Sequence, residues 1–183
     1  MEFLNRHSVI HGDLAARNIL LHTIENIKIT DFGKAHRINY DNLAVPVQGH
    51  QPILWMPVDA IQNREVSLLS DVWSFGITVW EVFSLGQEPY NGSTNSSFVW
   101  DFTFKIKIYF ILLFLEFSYQ EYFENLQDGY RLGKPDLCPS QIYRLMTECW
   151  RTVPQVRLGM LNPINPRGGG SLPCTVIELV HIK

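Results

Sequence analysis

The chain has 183 residues, 46% hydrophobic and 18% charged, enough apolar material to bury the core of one domain. Its formal net charge is −3 and its pI about 6.0, which argues against DNA, RNA or an anionic membrane as a partner. An aromatic share of 13% also argues against disorder over most of the length.

Three cysteines, Cys138, Cys149 and Cys174, are widely spaced and odd in number, and they read as reduced intracellular thiols. The six histidines have no zinc-ligand spacing with them. The opening MEFLNRHSVIHGD lacks the basic-then-apolar layout of a signal peptide.

In chain order, Met1 to Asn5 reads as the end of a helix. Val9–Ile10 and Ile19–Leu21 read as short strands around a polar loop, and Ile27–Ile29 as a strand ending at the polar turn Thr30–Gly33. Residues 34–58 are polar, with Pro46, Gly49, Pro52 and Pro57, and read as one long loop. Ser70 is the predicted N-cap of a helix that starts at Asp71, runs to about residue 85 and stops at Gly86. Val72, Phe75, Gly76, Val79, Val82 and Phe83 recur at helical spacing, with Trp73, Ile77 and Trp80 between them. A helix apolar nearly all round is a buried one. Residues 91–97 read as a loop. The uncharged run between Lys107 and Glu116 falls well short of the roughly 20 apolar residues a membrane span needs, and reads as a buried helix or strand. After Pro139-Ser140 a second helix is predicted, with Ile142, Leu145, Met146, Cys149 and Trp150 on its apolar face. From Pro163 a breaker-rich tail follows; Cys174 to Lys183 is strand-like in composition. There is no internal repeat.

Two clusters carry chemistry. The first is His11-Gly12-Asp13-Leu14-Ala15-Ala16-Arg17-Asn18 and the second Asp31-Phe32-Gly33. Phosphoryl transfer asks a protein for a carboxylate at the attacking hydroxyl and oxygen ligands for Mg²⁺. The octapeptide matches the kinase pattern H-R-D-L-x-x-x-N except at its second position, and D-F-G follows at the family's distance. Trp55-Met56, the run Ser70 to Gly76, Cys149-Trp150 and Arg157 come next in the same order. On these residues the chain resembles protein kinases over 1–92 and 121–157. Leu-Ala-Ala-Arg-Asn, Pro52 to Met56 and WSFGITVWEVFSLGQEPY resemble tyrosine kinases, the receptor branch in particular.

The resemblance implies a mainly α fold. It is a protein-kinase-like C-lobe with a few short β-strands around the catalytic loop, the N-lobe absent, and the 71–85 helix at its centre. Residues 1–157 would be a partial kinase domain with an atypical apolar insertion at about 98–121, and 158–183 an atypical tail read as disordered. By the same resemblance Asp13 accepts or orients the proton of a substrate tyrosine, and Arg17 balances the charge there. Asn18 and Asp31 bind Mg²⁺ and, through it, ATP. Gly33 permits the backbone turn after Asp31. Phe32 packs inward, and it and His11 are structural. Asp71 braces the catalytic loop through its backbone amides. Tyr40 is either an autophosphorylation site or an exposed loop tyrosine. Asp59 either pairs with Arg157 or is too short to reach it.

The sequence also departs from the family. Gly12 replaces an arginine that meets a phosphorylated activation loop in many kinases. Pro57-Val58-Asp59 replaces the usual A-P-E, and Leu54 a basic residue near the substrate tyrosine. Residues 98–121 have no counterpart, and the pattern is lost after Arg157. No G-x-G-x-x-G and no V-A-I-K lysine occur.

Three readings of function stay open. One is a tyrosine kinase in receptor-type signalling, using ATP and Mg²⁺ on protein tyrosines and inactive without an ATP-binding lobe elsewhere in the full-length product. Another is a non-catalytic interaction module. The third is a mispredicted or pseudogene product. The expected location is the cytoplasmic side of the plasma membrane for a receptor, and the cytoplasm otherwise. No nucleic acid is expected as a partner, and no membrane span within the chain.

Overall fold

The structure, a computed structural model, describes residues 1–23, 26–39, 43–90 and 120–157. In chain order the elements are α1 (Glu2–Arg6), β1 (Val9–Ile10), β2 (Ile19–Thr23), β3 (Asn26–Ile29), β4 (His36–Arg37), β5 (Ala44–Pro46), α2 (Val58–Asn63), β6 (Glu65–Ser67), α3 (Leu68–Phe83), α4 (120–127) and α5 (Ser140–Cys149). The strands form antiparallel two-stranded pairs, β1 with β4, β2 with β3 and β5 with β6. A mainly helical body with short strands around the 11–18 loop is the expected architecture.

Residues 34–58 are not one long loop. They hold β4, β5, a 3₁₀ turn at Ile53–Trp55 and the start of α2. β5 finds its partner far along the chain, with Val45 opposite Val66. Three residues are too few to show alternation, so only the distant strand reveals the pairing.

The start of the central helix also differs from expectation. Ser67, in extended backbone at φ −139° and ψ 174°, is the N-cap. Its hydroxyl accepts the Ser70 N–H at 3.3 Å, and its own N–H donates to Ser70 Oγ at 3.1 Å. Ser70 is thus the second half of a capping box rather than the cap. At the other end, Gly86 N–H donates to Glu81 O at 2.8 Å and Leu85 N–H to Val82 O at 3.2 Å, closing the last turn.

Trp73 and Ile77 are wholly buried at the middle of α3, Ile77 contributing about 1.5–3 kcal/mol by leaving water. They join Val72, Trp80, Tyr122, Leu126, Ile142, Met146 and Trp150 in the main core. The helix is not apolar-buried all round, since Val82 stays 58% exposed. α5 lies close against α3 at Gly76, where a Cβ would come within 2.8 Å of Cys149 Cβ and 2.6 Å of Trp150 Nε1. A smaller core of Ile10, Ile38, Met56, Ala60 and Val66 supports β1 and the loop that follows it.

Cys138 and Cys149 are free and buried, and burial pushes the Cys149 thiol up to about 12. Among the described residues no helix is long and apolar enough to cross a membrane. The 107–116 run, nearly all of the 98–121 segment, Tyr40, Cys174 and the 158–183 tail lie outside the described residues.

Candidate active site

β1 delivers Ile10 into the smaller core, and the chain then turns sharply through His11, Gly12 and Asp13. Asp71, in the first turn of α3, holds that turn. Its Oδ2 accepts the His11 N–H at 2.6 Å and its Oδ1 the Gly12 N–H at 3.0 Å. The carboxyl is 2% exposed, and burial pushes its pKa up to about 6 against the opposing pull of the two amides.

His11 is fully buried and orients the loop from within. The Asp13 N–H lies 3.3 Å from its Nδ1, and Nε2 lies 3.0 Å from Thr30 O. A backbone N–H can only donate, so Nδ1 is the acceptor and Nε2 carries the proton given to Thr30. The ring ties the 11–18 loop to the strand end before Asp31. Phe32 meets the same ring edge-on at 4.8 Å between centroids. Phe32 is nonetheless 46% exposed rather than packed inward, because nothing among the described residues covers its other face.

Asp13 carries a cation on each carboxylate oxygen. Arg17 Nη2 pairs with Oδ1, and Lys34 Nζ stands 3.2 Å from Oδ2. Arg17 also stacks on the Trp55 ring at 4.6 Å, which fixes its guanidinium. Gly12 has φ +75°, and a Cβ there would come within 2.8 Å of the Lys34 carbonyl oxygen. The loop conformation therefore favours glycine at the position where an arginine is usual.

Asn18 sits buried at the other end of the loop. Its Nδ2 donates to Asp13 O at 2.7 Å, and its own carbonyl accepts both the N–H and the hydroxyl of Thr30 at 2.9 and 3.0 Å. The β2–β3 register continues that pairing, with Ile19 opposite Ile29. Asp31 follows Thr30 directly, so an amide and a carboxylate come to the same end of the hairpin. Asp31 itself takes the left-handed backbone, φ 58° and ψ 69°, and accepts the Gly33 N–H at 3.3 Å. Gly33 is not the turning residue: it lies in the 3₁₀ turn Phe32–Lys34, and asparagine-like Asp31 tolerates the left-handed region. These donors suit a hard cation. Among the described residues no three His, Cys, Asp or Glu side chains form a metal cage. Mg²⁺ does not require one, because it takes one or two protein oxygens and completes its shell from phosphate and water.

Two residues of this region were not read from the sequence. Lys34 is one, a cation just past D-F-G. Glu81 is the other, buried in α3, where its Oε2 accepts the Ala16 N–H and the Trp55 indole N–H, both at 2.9 Å. Its signal was present: Glu81 is the sole charge between Val72 and Phe83. A buried lone charge needs partners. Farther off, Asp59 does reach Arg157. Both Arg157 Nη groups bond the carboxylate, Nη1 to Oδ2 at 3.3 Å, while Nη1 also donates to Leu69 O at 3.2 Å and Nε to Arg151 O at 2.9 Å.

The sequence matches the family profile described as protein tyrosine and serine/threonine kinase over residues 1–164, beyond Arg157 and across the 98–121 segment. It is 36% identical over 162 residues to platelet-derived growth factor receptor alpha of Takifugu rubripes, covering 88% of this chain and 13% of the receptor. Against the Homo sapiens receptor the figures are 37% over 158 residues, 86% and 12%. Against tyrosine-protein kinase Srms of Mus musculus they are 37% over 158 residues, 86% and 27%. The chain thus spans 12–27% of the length of these relatives.

Proposed function

The chain belongs to the protein tyrosine and serine/threonine kinase family, and from that premise we propose that it is the catalytic-loop part of a receptor-type protein tyrosine kinase. In this reading it transfers the γ-phosphoryl group of ATP to the hydroxyl of a protein tyrosine. One observation carries it. Asp13, held by Arg17 and Lys34, stands on a loop whose Asn18 is bonded to Thr30, next to Asp31. A hydroxyl-orienting carboxylate and two oxygen ligands for Mg²⁺ are the protein groups that phosphoryl transfer asks for.

Each side chain then has a role. Asp13 orients the tyrosine hydroxyl and accepts its proton. Arg17, stacked on Trp55, offsets the negative charge that develops beside Asp13. Asn18 and Asp31 would hold Mg²⁺, which neutralises phosphate charge when bound. His11, Asp71 and Glu81 fix the loop geometry, since positioning supplies most of the rate in this chemistry. The glycine-rich loop and V-A-I-K lysine are not in this sequence; in our reading an N-terminal lobe outside these 183 residues supplies them. Tyr40 is the proposed autophosphorylation site. The receptor relatives and the phrase from Trp73 to Tyr90 favour a place on the cytoplasmic side of the plasma membrane.

The test is which residue receives phosphate. Protein purified from its natural source, with any flanking sequence in place, is supplied with Mg·ATP and matched tyrosine and serine peptides. Phosphotyrosine alone is expected. Phosphoserine would contradict the tyrosine assignment, and no transfer at all would favour the interaction-module reading.

A further inference from the structure

The geometry points to Lys34 as the residue that positions the transferred phosphoryl group, by holding one of its non-bridging oxygens. This inference rests on the phosphoryl-transfer reading above. Lys34 is tied both to Asp13 and to the turn that Asp31 caps. Its Nζ is 3.2 Å from Asp13 Oδ2, and its backbone closes the 3₁₀ turn that begins directly after Asp31.

The chemistry of the two cations on Asp13 differs. Arg17 is a planar fork pinned on the Trp55 face, so its direction is committed. Lys34 ends in an ammonium with three N–H donors, of which the Asp13 bridge uses one. The ammonium can keep that bridge while donating to a phosphoryl oxygen. Its side chain is 35% exposed against 12% for Asp13, so ligand can reach it. The Lys34 carbonyl packs over Gly12, which sets the root of the side chain beside the catalytic loop. A larger residue at position 12 would push that root away. The absence of a side chain at Gly12 and the presence of a cation at Lys34 thus belong to one arrangement.

The natural protein, with any flanking sequence in place, and its Lys34→Gln and Lys34→Arg variants are titrated calorimetrically with Mg·ATP and, separately, with adenosine. Lys34→Gln is expected to weaken Mg·ATP binding about tenfold, the scale of one charge-assisted hydrogen bond, and to leave adenosine binding unchanged. Lys34→Arg, which keeps the charge, is expected to restore most of the affinity. A merely structural lysine would move both ligands together or neither, and either result overturns the inference while leaving the kinase reading intact. Binding of neither ligand by the unaltered natural protein overturns both.

Discussion

The indole N–H of Trp55 donates to Glu81 Oε2 at 2.9 Å, and that same oxygen accepts the backbone N–H of Ala16. One buried carboxylate on α3 therefore joins the loop carrying Asp13 to the segment before α2. Glu81→Ala would leave two half-buried donors without an acceptor, and a loss of about 1–3 kcal/mol is expected. A double-mutant cycle with Trp55→Phe in urea should show a coupling of about 1 kcal/mol. Additive losses would show that the bond is not made in solution.

The Asp71 carboxyl gives stability a sign that differs from most paired acids. Its folded pKa of about 6 lies above the ordinary 3.8, so the folded state binds the proton more tightly than the unfolded one. That contribution is complete below the ordinary value and is lost as pH rises through 6. The difference, about two pH units, corresponds to ~3 kcal/mol at most. Urea melts at a series of pH values should show the unaltered chain losing stability from about pH 4 to 7 relative to Asp71→Asn. Parallel curves would contradict the assignment.

Arg157 is fully buried and holds Asp59, Leu69 and Arg151 together. Arg157→Ala is expected to cost about 3–5 kcal/mol, because it strands Asp59 and several carbonyls. Arg157→Lys should recover little, lacking the fork that bonds both carboxylate oxygens. Thermal unfolding checks both.

Gly12 should resist replacement by the family's arginine. The left-handed backbone costs a side chain about 1–2 kcal/mol, before any overlap with the Lys34 carbonyl at 2.8 Å. Gly12→Ala and Gly12→Arg are both expected to lower the melting temperature. Equal stability would mean that the turn relaxes.

What the sequence showed and what it hid divide along physical lines. The α3 and α5 helices, the β2–β3 hairpin and the 11–18 loop announce themselves through local periodicity or contiguous motifs. The β5–β6 pair, α2 and the Trp55–Glu81 bond depend on partners far along the chain. The N-cap fell on Ser67 rather than Ser70 because both serines fit a capping pattern and only backbone geometry separates them. Gly33 looked like the turning residue from type alone, yet Asp31 takes the left-handed conformation. Phe32 was expected inside, but what covers a side chain is a tertiary fact. Lys34 lies three residues after Asp31 and only the fold brings its ammonium to Asp13.

The central claim is that Asp13 orients the accepting hydroxyl. Single-turnover transfer from Mg·ATP to a tyrosine peptide, compared between the natural protein and its Asp13→Asn variant, tests it most directly. A rate loss of about 10²–10⁴-fold with nucleotide affinity retained is the expected result. An Asp13→Asn variant that transfers phosphate at the unaltered rate would contradict it.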